Sequence, residues 1–230
     1  MTRLLMLVEG YTEEIFVKRT LAAHLARYGV YVKPIVLWTK RLPGGSGYRG
    51  GVSNWKQIRE NLLNLMRDGD AWVSTLLDFY GLPEDFPGLQ ESSDVGDPQA
   101  KVAALQSRFA AELNHQRFIP FLVLHEFEAL LFSAPDTVGA HFDKANLADR
   151  LRNAVQEAGE PERINHGAAT HPKARLHDLV EGYKETSDGP TLLEKIGLPA
   201  VRAACPHFDG WLTRLEALGD EAPQLSTGGA

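Results

Sequence analysis

The sequence predicts an α/β fold, with a mostly parallel four-stranded sheet flanked by helices and a C-terminal helical appendage. The first 135 residues alternate short apolar runs with helix-like stretches, the pattern that builds a parallel sheet covered by helices. The run Leu4 to Val8 is continuously apolar rather than alternating, as in a strand buried on both faces. After Pro135 the strand signal ends, and helical stretches separated by Gly and Pro take over. These features divide the chain into a core over 1–135, an appendage over 136–219 packed on it, and a tail over 220–230 whose lack of apolar periodicity predicts disorder.

Taken in order, Gly10 ends the first strand, and Thr12 with Glu13, Glu14 and Ile15 predicts an N-cap with acids in the first turn, where the helix dipole favours them. That helix runs to about Tyr28 and stops at Gly29. Val30 to Trp38 predicts a second strand, with Pro34 marking an edge or an irregularity. Thr39 to Val52, with five glycines, one proline and three basic residues, is loop. Ser53 is expected to cap a helix ending near Arg67, with Ile58, Leu62, Leu65 and Met66 on its inner face. Ala71 to Leu77 predicts the third strand, ending in Asp78, Phe79, Tyr80 and Gly81. Asp97 and Pro98 read as N-cap and first residue of a helix reaching Asn114. Arg117 to Leu124 predicts the fourth strand, which turns through His125, Glu126, Phe127 and Glu128 into a short helix. Further helices are expected near 144–158, 172–184, 190–204 and 206–219.

Composition narrows the function. The 230 residues are 43% hydrophobic and 23% charged, enough to bury a core. A net charge of −6 has the wrong sign for nucleic-acid binding by overall charge. Cys205 is the one cysteine, which excludes an intramolecular disulfide or a cysteine-built metal site and fits a reducing cytoplasm. No apolar run approaches the roughly 20 residues of a membrane span. The apolar start lacks a cleavage site, so no signal peptide is expected.

Active sites of open parallel sheets gather at the carboxyl ends of strands. Glu9 and Glu13 follow the first strand, Asp78 the third, Glu126 and Glu128 the fourth. Converging there, these acids would repel one another without a cation, and oxygen ligands favour Mg or Mn. Glu126 and Glu128 are two apart and cannot share a helical face, so at most one of them is expected as a direct ligand, with the other or His125 in support. The plainer readings are an acidic helix start for Glu9 and Glu13 and a turn residue for Asp78.

The segments VEGYTEE, LLDFYGLP, HEFEALLFS, INHG and CPHFDGWL together resemble the Toprim-like family called domain of unknown function 4276, related to Toprim nucleases of overcoming-lysogenization-defect type. The resemblance implies a Toprim fold and a metal-dependent nuclease. Glu9, Asp78 and Glu128 would be catalytic, and Glu9, Glu13, Asp78, Glu126 and Glu128 would hold one or two Mg or Mn ions. It departs from the family pattern at Tyr80, where a second Asp of a DxD pair would stand. It also implies a role in bacterial defence against phage or plasmids beside a separate ABC or AAA type ATPase. No GxxxxGK[ST] loop occurs in this chain.

Lys33 to Arg59 holds six basic residues and no acid. Lys40, Arg41 and Arg49, with Tyr48 and Trp55, are therefore candidates to track a DNA or RNA backbone, the plainer reading being a solvated loop. Arg175, in a segment that echoes the family only partly, is a further candidate phosphate contact. His166, His171, His177 and His207 match no zinc-ligand spacing and read as surface or capping residues. The rival function is a non-catalytic Toprim module that docks on nucleic acid or an ATPase. Nucleotides or other phosphoesters are a third substrate class, and the number of protomers stays open.

Overall fold

The computed structural model describes residues 1–37, 54–144, 146–164 and 170–220. Strand β1 (Thr2–Val8) lies centrally, paired in parallel with β2 (Val30–Val36) on one side and β3 (Ala71–Asp78) on the other. The order is β2-β1-β3-β4, with β4 (Phe118–Ile119) and β5 (Leu122–Val123) both parallel to β3. This is the mostly parallel α/β architecture expected of a Toprim-like chain. Pro34 sits on edge strand β2, opposite Met6, where its missing N–H can face away from the sheet.

The fourth strand is broken rather than continuous from Arg117 to Leu124, because Pro120 cannot donate a ladder bond. Thr75 bridges the break: its hydroxyl donates to the Phe121 carbonyl and accepts from the Phe121 N–H, both at 2.8 Å. The first helix is capped at Gly10, not Thr12, and its N-terminal carboxylate bond comes from Glu13, whose Oε2 accepts the Gly10 N–H at 2.9 Å. It continues as α1 (Tyr11–Phe16), a π turn (Val17–Leu21) and α2 (Ala22–Ala26), and Gly29 follows at φ +72°. Asn54, not Ser53, caps α3 (Trp55–Met66), accepting from the Gln57 N–H at 3.0 Å. Asp97 caps α4 (Pro98–Leu113) as its sequence predicts.

The C-terminal half holds α5 (Pro135–Phe142), α6 (Leu147–Ala158), α7 (Pro172–Leu179), α8 (Glu185–Ile196), α9 (Leu198–Ala204) and α10 (Pro206–Ala217). The helix expected over 190–204 is two, because Gly197 takes φ +79° between α8 and α9.

Side chains alternate across the sheet and serve two apolar clusters. Leu7, Val73 and Leu77 pack with Ile58 and Leu62 of α3 and with Val102, Leu105 and Phe109 of α4. Leu4, Met6, Val8 and Leu76 share the opposite cluster with Phe16, Leu21, Phe127, Cys205, Phe208 and Leu212. Trp211 of α10 locks onto the sheet, stacked on Phe121 at 4.3 Å between centroids and donating its Nε1–H to Ser74 Oγ at 3.0 Å. Among the described residues no helix is long and apolar enough to cross a membrane.

Candidate functional site

Glu9 follows β1, Asp78 ends β3, and the chain leaving β5 reaches a 3-10 turn, Phe127–Ser133, with Glu126 at its N-cap. Adjacent parallel strands therefore deliver carboxylates to one edge. Glu9 Oε2 accepts the backbone N–H of Asp78 at 3.3 Å, tying the two strand ends together. Asp78 Oδ1 in turn accepts the Phe127 N–H at 3.0 Å, tying β3 to the turn that carries Glu128. Gly81 lies under Glu9: a Cβ there would stand 2.8 Å from Oε2 and 2.9 Å from Oε1, so only glycine leaves the carboxylate its place.

The acids act on one another. Burial raises Asp78 well above the usual carboxylate range, and Glu9, Glu13 and Glu128 add to the shift. Burial likewise raises Glu9, offset in part by the Asp78 N–H, and pushes Glu13 up to about 7 and Glu128 up to about 8. All five carboxylates proposed from the sequence are thus linked electrostatically, through Glu126 to Glu9 and Glu128 at the far end. Glu126 is anchored to α7, its Oε2 lying 2.8 Å from His171 Nδ1 and accepting the Lys173 N–H at 3.1 Å.

Lys173 is the residue that sequence reasoning passed over. Burial disfavours its charge, but Glu128, Glu185, Asp78 and Glu126 together outweigh that and raise its pKa. Its ammonium pairs with Glu185 at 3.3 Å. The signal was present, since a lysine directly follows the helix-starting Pro172, but only the tertiary fold brings that helix over the strand ends. Tyr183 is a second buried group in the field of Glu128, and its hydroxyl has no hydrogen-bond partner among the described residues.

Arg175 shares α7 with Lys173, and its Nε donates to the Thr170 carbonyl at 2.6 Å. Lys40, Arg41 and Arg49 lie outside the described residues, as do Tyr48 and His166. His177 pairs with Glu185 at 3.0 Å, and His207 Nε2 lies 2.9 Å from the Leu122 carbonyl oxygen. Among the described residues no three His, Cys, Asp or Glu side chains close into a ready-made ligand set.

The family described as domain of unknown function (DUF4276) matches residues 8–216. No curated protein matches the chain. Two solved structures are similar to it over most of their length. The C-terminal region of the Burkholderia pseudomallei OLD protein shares 13% identity at a TM-score of 0.48, covering 95% of this chain and 99% of its own. The C-terminal region of the Xanthomonas campestris pv. campestris OLD protein shares 15% identity at a TM-score of 0.36, covering 96% and 98%.

Proposed function

The chain belongs to the DUF4276 family, and we propose that it is a metal-dependent phosphodiester hydrolase acting on nucleic acid. In this reading Glu9, Asp78 and Glu128 hold the ion or ions, with Glu13 and Glu126 supporting them. The observation that carries it is the convergence of buried carboxylates from the ends of β1 and β3 and the turn after β5, tied together by the Asp78 N–H to Glu9 and the Phe127 N–H to Asp78.

The donor set suits one or two Mg or Mn ions. It is all oxygen, and its acids are raised by burial and by one another, the condition a cation relieves. Magnesium commonly takes only one or two carboxylates and leaves its other positions to water and phosphate oxygens. When bound, such a cation lowers the pKa of water and offsets charge developing on phosphate. The chain's own residues do the positioning. The Asp78 N–H and the bare backbone of Gly81 fix the Glu9 carboxylate, and the Phe127 N–H fixes Asp78. Lys173 brings a positive charge to the same edge, suited to a phosphate oxygen.

Work beside a separate ABC or AAA type ATPase in bacterial defence, in the cytoplasm, belongs to the proposal through the family resemblance. The second reading is a non-catalytic module that docks on nucleic acid or an ATPase. Lys173 favours it, because its ammonium already offsets part of the cluster's charge. Incubating wild type and Glu9→Gln with Mg or Mn and a panel of DNA and RNA substrates tests the hydrolase reading. Metal-dependent cleavage by wild type, lost in Glu9→Gln, supports it; equal cleavage by both, or none by either, overturns it.

A further inference from the structure

Beyond Asp78 the chain passes through the 3-10 turn Phe79–Gly81, which serves two places at once. Gly81 packs under Glu9, while Phe79 and Tyr80 line a surface cavity of about 410 Å³. The two rings lie 25° from parallel with centroids 5.9 Å apart, and Tyr80 continues onto His125 at 5.2 Å and 37°. Leu82 and Val95 extend the lining, and the Lys101 ammonium stands 5.6 Å from the Phe79 ring centroid. Tyr80 is 42% exposed and Val95 36%, so neither is consumed by the core.

The exposed Tyr80 ring, backed by the partly buried Phe79 and the buried His125, offers a π-face on which an unpaired base can stack, and the neighbouring Lys101 ammonium offers a partner for the backbone phosphate. A base inside a duplex has both faces stacked and its pairing edge used, so it cannot enter such a cavity unless it is flipped out. The volume falls in the range of small-ligand sites. Position selects nucleic acid as the occupant, because the cavity and the carboxylate edge share one three-residue turn. We infer that this cavity is a nucleobase subsite holding a base next to the phosphate presented to Glu9 and Asp78, so that the chain acts on single-stranded or locally unpaired nucleic acid. The inference rests on the hydrolase reading for its substrate, and it assigns to Tyr80 a role the missing Asp could not fill.

Anisotropy of a short labelled single-stranded oligonucleotide and of its blunt duplex, measured in chelator, tests it without turnover. Tyr80→Ala removes the platform, and Val95→Trp fills the cavity from its rim while leaving Tyr80 in place. Each is expected to weaken single-strand binding about tenfold and to leave duplex binding unchanged. Unchanged single-strand affinity in both variants, no single-strand binding by wild type, or equal losses for the duplex would overturn it. The two readings fail separately. Single-strand binding that needs the cavity, without cleavage under any divalent ion, removes the hydrolase and keeps the subsite; metal-dependent cleavage with binding indifferent to both variants does the reverse.

Discussion

The Glu9 carboxylate fills the space that a side chain on Gly81 would need, with a Cβ on Gly81 falling 2.8 Å from Glu9 Oε2. The obstructing atoms are the end of a flexible side chain, so a methyl group there displaces the carboxylate rather than the fold. Gly81→Ala is expected to change unfolding free energy by no more than about 1 kcal/mol while weakening Mn binding tenfold or more. Mn affinity equal to wild type would show that the seat of Glu9 is irrelevant.

Lys173 places a positive charge among the acids, so it competes with any cation they bind. Two unit charges near a protein surface interact by about 1–4 kcal/mol at contact distances, depending on the effective dielectric. Lys173→Met should therefore tighten Mn binding severalfold in a calorimetric titration. Weaker Mn binding in that variant would contradict the competition.

Glu162 provides a pH dependence remote from the strand-end acids. It lies under the start of α10, accepting the His207 N–H at 2.9 Å and the Phe208 N–H at 3.0 Å. Burial outweighs those bonds and pushes it up from 4.5 to about 7. A carboxyl raised on folding binds its proton more tightly in the native state, so its contribution is full below about pH 4.5 and is lost as pH rises through about 7. The unfolding free energy of wild type, relative to Glu162→Gln, should fall across that window by at most about 3 kcal/mol. A difference independent of pH would refute this.

Trp211 joins α10 to the sheet through its ring stack on Phe121 and its hydrogen bond to Ser74. Trp211→Ala leaves a cavity and removes a donor to Ser74 Oγ, which keeps its own bond to the Ile119 carbonyl, and chemical denaturation should show a loss of about 3–5 kcal/mol. A loss below about 1 kcal/mol would mean that α10 adds little to the core.

What was legible in the sequence had local causes. The uninterrupted apolar run of β1 announced a strand buried on both faces, Pro34 announced an edge, and Asp97 with Pro98 announced the start of α4. Glu9 and Asp78 could be singled out because a parallel sheet presents its strand ends together. The misread features turn on side-chain bonds or tertiary contacts rather than on apolar periodicity. Thr75 bridges a strand broken at Pro120 with its side chain, which no pattern in 117–124 reveals. Gly10 caps without a side chain of its own because Glu13 reaches back to it. Lys173 and Gly81 matter only through tertiary contact, one by the docking of α7 and the other by a close approach across β1 and β3.

The most direct measurement is a calorimetric titration of Mn into wild type, Asp78→Asn and Glu128→Gln at neutral pH. Asp78 and Glu128 lie on different elements and couple only at the proposed centre. The expected result is one or two ions bound by wild type, with affinity lost or reduced at least tenfold in each variant and folding retained. Wild type that takes up no Mn, or variants that bind it as tightly, would contradict a metal-holding carboxylate cluster and leave the docking module as the reading.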